Sequence, residues 1–472
     1  MRSAVTLSVA VAFAVLLVSG VWGSAARKAA GATAKPNIVF ILADDMRKDD
    51  LKYMPKTLSV LRDKGMSFSD AFVSNALCCP SRATIMRGQY AHNTGVWTNT
   101  NGDGPDAGWQ AYKNNDNERD NVATRLDEAG YRTALIGKYL NGYNTTYIPP
   151  GWDHWFATWG RYFHYDVNDQ GTIRHFGMDA SDYKTDVLRR ETEAFIGASA
   201  AQGKPFFAYV TPKAPHGPGT PAPRDLHAYD GLKAPRLPSF NEKNVSDKPP
   251  WIRQLPRLDD ATKAKIDNRQ ERRIESLQAL DDLVAGVVGK LNDNGVMGDT
   301  YVFFTSDNGL HQGEHRIPGR KARPYEENVH VPLLVRGPGV AAGHYAQKLV
   351  LNTDYLPTFT DLGGAQTPGY TDGRSLRPVL EGNATAWRSA ILLEARHTSE
   401  GGATPAYSGI RTSSGRKYVK YAGGKKELYY LGRDPYELRN SYNPNAPSAM
   451  ATRLAALETC AGDRCRAAEN GK

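Results

Sequence analysis

The chain is expected to fold as an α/β protein: a mostly parallel sheet flanked by helices, followed by a smaller C-terminal α+β subdomain that contains an antiparallel sheet. Three observations carry this expectation. Continuous apolar runs at residues 37–43, 132–137, 205–210, 300–306 and 331–335 read as strands buried on both faces. Helical patterns lie between several of them, as parallel crossovers require. After about Gly363 the texture changes to short segments at 390–394, 409–411, 417–421 and 427–431, each followed by turn residues.

In chain order, residues 1–26 read as a secretory signal: Arg2, an apolar run from Val9 to Val18, then Gly23, Ser24, Ala25 and Ala26. That run is shorter than the roughly 20 residues of a membrane span, although Val21 and Trp22 could extend it into a retained anchor. The rest of the chain is expected to be exported, without a membrane span once the signal is removed. The α/β domain is placed at 36–363 and the C-terminal subdomain at 364–472. Helices are expected at 55–64, ended by Gly65, at 182–196 and at 261–292, where Ile274, Leu277, Leu280, Leu283, Val284, Val287, Val288 and Leu291 repeat at three and four. Residues 212–256 are Pro-rich and read as a long ordered excursion over the sheet. A last helix is expected at 446–457.

Composition excludes disorder and fibres: 40% hydrophobic and 10% aromatic residues can build a core. The net charge of +9 suits polyanionic surroundings, yet no zinc-finger spacing or dense basic block accompanies it, so no nucleic-acid partner is expected. Four cysteines are too few for a disulfide-held scaffold. Adjacent Cys78 and Cys79 would need a strained ring to pair, whereas Cys460 and Cys465 can close a short loop; that bridge is expected, and the other two stay free.

Acidic residues at strand ends are the first chemical signal, because open parallel sheets bind ligands beyond the carboxyl ends of their strands. Asp44-Asp45 and Asp307-Asn308 offer three carboxylates and an amide oxygen, hard ligands for calcium or magnesium and not for zinc; the same pairs also occur in ordinary turns and caps. The second signal is Cys78-Cys79-Pro80-Ser81-Arg82. Pro80 fits the first turn of a helix, so Cys78 lies at its positive end, and Arg82, about one turn on, can return a planar donor fork to the same spot.

The Cys-x-Pro-Ser-Arg core at 78–82 resembles the signature of the type I, formylglycine-dependent sulfatases. Residues 37–45, Gly137-Lys138, Ala214-Pro215-His216, Ser306-Asp307-Asn308-Gly309 and Lys321 with Tyr325-Glu326 are similar to further family blocks, in the family's order. Doubled Cys78-Cys79, residues 88–93, residues 137–141 and the Cys460, Cys465 pair look most like the N-acetylglucosamine-6-sulfatase branch. The resemblance implies an alkaline-phosphatase-like fold and oxidation of Cys78 to formylglycine by a separate activating enzyme. It also implies one calcium ion held by Asp44, Asp45, modified Cys78, Asp307 and Asn308.

A sulfate monoester is an anion that repels nucleophiles and leaves a poor alkoxide. By resemblance, Arg82, Lys138 and Lys321 would spread the charge on sulfate oxygens, and His216 would assist proton transfer as the acid. One oxygen of the hydrated aldehyde would attack sulfur, the alcohol would depart protonated, and the second hydroxyl would collapse to expel sulfate. Many relatives carry a histidine two residues after the first active-site lysine; Leu140 stands there, so the usual base for sulfate release is missing, with His92, His311 or a substrate-contacting Asn141 as candidates around it. Spacing alone does not separate Lys321 from Arg316, Arg320 and Arg323.

The expected substrate is a sulfated sugar, most specifically 6-O-sulfated N-acetylglucosamine in a glycosaminoglycan. Residues 152–165 and the 212–256 excursion supply aromatic and basic groups for a sugar subsite or for packing. Alternatives are an aryl sulfatase, a phosphonate or phosphate ester hydrolase with the same modified cysteine, and a secreted polyanion-binding protein without chemistry. Sequons at Asn144, Asn244 and Asn383 matter only in a eukaryotic secretory route.

Overall fold

Alternation along the first strand shows how the sheet is buried. In β1 (Asn37–Ala43), Ile38, Phe40 and Leu42 enter one apolar cluster and Val39, Ile41 and Ala43 enter another on the opposite face. The computed structural model describes residue 1 and residues 35–100, 104–397, 402–445 and 449–471. Apart from Met1, the expected signal at 1–26 lies outside the described residues, and residues 35–472 make up one compact unit.

The main sheet has ten strands, which besides β1 are β2 (Met66–Phe68), β4 (Arg132–Gly137), β5 (His154–Gly160), β6 (Tyr165–Asp169), β7 (Thr172–Phe176), β8 (Phe206–Thr211), β9 (Thr300–Ser306), β10 (Leu333–Arg336) and β11 (His344–Ala346). β3 (Ala71–Phe72) pairs with β12 (Val350–Leu351) apart from it. Spatial order is β11-β2-β10-β9-β1-β8-β4-β5-β6-β7. The five central strands β9, β1, β8, β4 and β5 run parallel, while β10 on one side and β6 and β7 on the other are antiparallel to their neighbours. The expected strand at 331–335 is thus β10, which returns antiparallel because only a loop and a four-residue helix, Glu326–Val329, separate it from β9.

The long helix spans Asp260–Asp293, capped by the Asp259 side chain, and its apolar stripe packs under the sheet with that of Lys184–Ala201. The other face is covered by Cys78–Arg87 and Tyr355–Gly363. The helix expected at 55–64 is only three α-helical residues, Pro55–Thr57, followed by a π-helical turn, Leu58–Arg62; the Asp281 carboxylate takes the Lys56 and Thr57 N–H groups and ties this start to the long helix. The Pro-rich excursion is ordered, with short helical turns at Pro223–Asp225 and Pro250–Arg253. Among the described residues no helix is long and apolar enough to cross a membrane.

Four antiparallel strands, β13 (Ala390–Ala395), β14 (Tyr407–Thr412), β15 (Arg416–Tyr421) and β16 (Lys426–Tyr430), form the C-terminal sheet. Their apolar side is continuous with the core on the Phe40 face of the main sheet. Helix Ala449–Leu457 follows, and a further helix, Asp463–Asn470, was not expected. Cys460 and Cys465 form a disulfide, with Cα atoms 4.8 Å apart, while Cys78 and Cys79 are buried and take no part in a disulfide.

His92 joins these parts. Its Nδ1 lies 2.9 Å from Glu394 Oε2 on β13, and its Nε2 lies 3.0 Å from the Cys460 carbonyl oxygen. Burial alone would lower its pKa, but the Glu394 carboxylate and the Cys460 carbonyl raise it to about 9. A folded-state pKa above the unfolded value of about 6.5 means stabilisation that is full below pH ~6.5 and is lost as pH rises through 9, worth about 3 kcal/mol. His92→Gln is therefore expected to lower urea-unfolding stability by about that amount at pH 6, with the deficit shrinking above pH 9. A deficit independent of pH would contradict the ion pair.

Candidate active site

Four adjacent strand ends supply most of the site. β9, β1, β8 and β4 are parallel neighbours, and the loops leaving them carry Asp307-Asn308, Asp44-Asp45, Lys213 with His216, and Lys138. Pairing of Ala43 with Ser306 sets the two acidic dipeptides beside each other. The turn into Lys138 needs Gly137: its φ is +124°, and a Cβ there would stand 2.3 Å from the Thr211 carbonyl oxygen. Asp45 adopts the left-handed region at φ 62°, a strained conformation for a non-glycine residue. Its N–H donates to Asp307 Oδ1 at 3.0 Å, and its carbonyl accepts from Arg273 Nη2 at 2.7 Å, so both ends of the residue are held.

Cys78 is the first residue of its helix, with Pro80 in the first turn as expected. Its Sγ lies 3.2 Å from Asp44 Oδ1 and receives Lys321 Nζ at 2.8 Å. Burial first, then the Asp307 and Asp44 charges, push this thiol well above its ordinary pKa. A protonated thiol is a weak nucleophile, so the unmodified cysteine is poorly suited to attack an ester.

All the other expected site residues meet around it. Arg82 is fully buried: Nε donates to Asp307 Oδ2 at 2.8 Å, Nη1 to the Lys138 carbonyl at 2.9 Å, and Nη2 lies 3.7 Å from Asp44 Oδ2. Lys138 Nζ donates to Asp44 Oδ2 at 2.7 Å, and Lys321 Nζ to Asp45 Oδ1 at 2.8 Å. Burial would raise the Asp44 pKa, but Lys138, His216, Arg82 and Lys321 outweigh it and hold the carboxylate ionised. The ambiguity around Lys321 is resolved by position: Arg316 instead donates to the Glu242, Lys243 and Leu255 carbonyls, and Arg323 stacks over Trp251.

His216 donates Nδ1–H to the Gly217 carbonyl at 2.7 Å, which leaves Nε2 facing Asp45 Oδ2 at 3.6 Å. Burial lowers its pKa to about 4 against the pull of Asp44 and Asp45, so the ring is neutral at neutral pH.

The donor set fits a hard divalent cation. Asp44, Asp45, Cys78 and His216 each place a ligand atom within 4.8 Å of the others, and Asp307 and Asn308 are hydrogen-bonded to Asp45. Asn308 Nδ2 is used by Asp45 Oδ1 at 2.7 Å, while Asn308 Oδ1 is buried and has no hydrogen-bond partner among the described residues, an acceptor suited to a cation. Three carboxylates here balance Arg82, Lys138 and Lys321, so a divalent ion would make the site cationic and complementary to an anion.

A cavity of about 200 Å³ adjoins Lys138 and His216 and is lined further by Leu140, Asn141, Trp159, Lys184 and Lys213. Neither His92, engaged with Glu394, nor His311, packed against Tyr325 and His315, borders it. Of residues 152–165, Trp159 lines the cavity, whereas Trp152 stacks on Phe207 and Tyr209. Three residues escaped the sequence reading. Arg273 was hidden within the long helix; it interrupts the apolar repeat next to Ile274 and is fully buried, and that interruption was the available signal. Lys184 and Lys213 are lone cations at a helix start and beside a proline, which nothing local distinguishes from solvated lysines.

Comparison with known proteins gives a consistent picture. The "Sulfatase" family matches residues 36–365, and the "N-sulphoglucosamine sulphohydrolase, C-terminal" family matches residues 313–459. The human N-acetylglucosamine-6-sulfatase is 33% identical over 95% of this chain and 88% of its own length. The Drosophila melanogaster extracellular sulfatase SULF-1 homolog is 36% identical over 82% of this chain, which spans only 35% of that larger protein. A structure solved in complex with its substrate D-glucosamine-2-N,6-O-disulfate superposes with a TM-score of 0.76, at 23% identity, over 93% of this chain and 99% of its own. The expected alkaline-phosphatase-like fold is the one the chain shares with this solved structure.

Arg273 supports the site from below: besides the Asp45 carbonyl, it donates to the Pro215 carbonyl at 3.2 Å and pairs with buried Asp50 at 3.0 Å. Arg273→Leu strands the Asp50 charge and is expected to cost roughly 3–5 kcal/mol in urea unfolding. Asp50→Asn in the same chain should restore part of that loss; a single variant within 1 kcal/mol of wild type would refute the role.

Proposed function

The chain belongs to the sulfatase family, and from that premise we propose that it hydrolyses sulfate monoesters, specifically 6-O-sulfated N-acetylglucosamine in glycosaminoglycans, as an exported enzyme. The observation that carries the reading is the placement of Cys78 at a helix start between Asp44 and Lys321, with Arg82 and Lys138 on the same carboxylates. The sugar assignment draws on the N-acetylglucosamine-6-sulfatase relatives, matched over most of both lengths.

In this reading a separate activating enzyme oxidises Cys78 to formylglycine, which supplies the nucleophilic oxygen; Sγ stands where the new side-chain oxygen would begin. Asp44, Asp45, Asp307, Asn308 and the modified residue 78 would hold one calcium ion, which supplies Lewis-acid polarisation of the ester. Lys321, in contact with Sγ, stabilises negative charge on the side chain at 78 and on the sulfate brought to it. Lys138 lies both at Asp44 and on the cavity wall, so it meets the ester from the substrate side. Arg82 fixes the Asp307 and Asp44 carboxylates and offers Nη2, which has no hydrogen-bond partner among the described residues, toward a sulfate oxygen.

His216 moves the proton. With Nδ1–H locked on Gly217, Nε2 is the reactive atom; being neutral, it would take the proton that the attacking hydroxyl at residue 78 loses and pass that proton to the departing alcohol. Leu140 lines the cavity where the missing histidine would stand, and Asn141 beside it is on the cavity wall, where it would contact the sugar.

Protein produced with an activating enzyme is expected to show a Cys78 peptide lighter by about 18 Da and to release sulfate from N-acetylglucosamine 6-sulfate. Retention of the thiol would overturn the nucleophile assignment, turnover of an aryl sulfate alone would remove the sugar claim, and preference for a matched phosphate ester would move the chain to phosphoryl chemistry. Lys321→Met is expected to reduce kcat/KM by ~10²–10³. Unimpaired turnover after chelation and dialysis would exclude a required metal, as would full activity of Asp307→Ala.

A further inference from the structure

The cavity beside Lys138 and His216 contains two cations that the transferred sulfate does not call for. We propose that Lys184 and Lys213 form a subsite for a second anionic substituent on the sugar that carries the scissile sulfate. The inference rests on the sulfatase reading and deepens it by naming the substrate as a doubly anionic sugar.

Pairing sets these two lysines apart. The other lysines buried to a similar degree as Lys184 each meet a carboxylate: Lys248 meets Glu242, Lys321 meets Asp45, and Lys417 meets Glu437. Lys184 is equally buried, yet among the described residues its Nζ meets the Trp159 carbonyl at 3.1 Å and the Tyr165 ring, 4.4 Å to the centroid, and no carboxylate. Lys213 Nζ has His216 Nδ1 at 3.4 Å, a nitrogen whose proton is already given to Gly217. Among the described residues neither lysine has a carboxylate within 4.0 Å. A buried ammonium without a counter-ion is costly, and a ligand anion supplies one.

Position strengthens the case. Lys184 is the first residue of an 18-residue helix, the end where the helix dipole disfavours a cation and favours an anion. Lys138, Lys184 and Lys213 line one cavity, and burial together with their mutual repulsion pushes the Lys184 ammonium well below its ordinary pKa. An anion placed among them relieves that repulsion. Neither Lys184 nor Lys213 is hydrogen-bonded to Cys78, Asp44 or Asp45, the groups around which the scissile sulfate is held by Arg82, Lys138 and Lys321. They therefore act on the sugar side of the ester. The cavity, at about 200 Å³, is of the scale of one sugar residue.

The test compares kcat/KM for glucosamine N-sulfate 6-sulfate and for N-acetylglucosamine 6-sulfate, in the wild-type, oxidised enzyme and in Lys184→Met, Lys213→Met and Lys213→Arg. Wild type is expected to favour the disulfated sugar at least tenfold. Each Met variant is expected to lower that ratio at least tenfold, mainly through KM on the disulfated sugar, and Lys213→Arg to retain it. Should Lys184→Met fail to fold, Lys213, on a half-buried loop, carries the test. A wild-type ratio near one, or Met variants that lose equally on both sugars, would overturn the subsite while leaving the sulfatase reading in place. A wild-type enzyme idle on both sugars would overturn the sugar assignment and the subsite together.

Discussion

Buried charge in a dry crevice is the constraint on which the rest of this structure depends. Asp44, Asp45 and Asp307 are each almost fully removed from solvent, and no fold tolerates three such carboxylates without compensation. Arg82, Lys138 and Lys321 provide it, and they come from a helix, a strand-end loop and a long connection that are far apart in sequence. A parallel sheet is the device that makes this convergence possible, because four neighbouring strands release their chains at the same edge.

The same economy explains the polar groups beneath the site. Arg273 and Asp50 are buried together under the β1 and β8 loops, and Arg47 pairs with Glu314 beside them. These pairs add little net stability over a well-packed apolar core. What they do is hold loop carbonyls in fixed directions, including that of Asp45, whose left-handed backbone would otherwise relax. Rigidity of the acidic loop, and with it the placement of carboxylates against Cys78, is obtained at the level of backbone hydrogen bonds.

Much of this was legible in the residues themselves. Continuous apolar runs marked β1, β4, β8 and β9, since strands buried on both faces have few polar positions to alternate with. Asp44-Asp45 and Asp307-Asn308 stood out as hard ligands at strand ends, and the 78–82 motif with its resemblance placed Cys78 and Arg82 in the same site. The π turn at Leu58–Arg62 was not legible, because it answers to Asp281 on a helix more than two hundred residues away. Lys184 and Lys213 were likewise silent, since a lysine differs from its solvated counterpart only in what surrounds it.

By itself the sequence determined the alternation of strands and helices, the short Cys460–Cys465 loop and the identity of the groups able to carry chemistry, because these depend on local periodicity, spacing and side-chain type. Only the tertiary structure decided which of four clustered cations, Arg316, Arg320, Lys321 or Arg323, reaches Cys78. It alone decided that His92 serves the C-terminal sheet and that Lys184 and Lys213, which have no carboxylate partner among the described residues, share a cavity with His216. Direction, burial and the presence of a counter-charge arise when distant segments meet, and no window of neighbouring residues contains them.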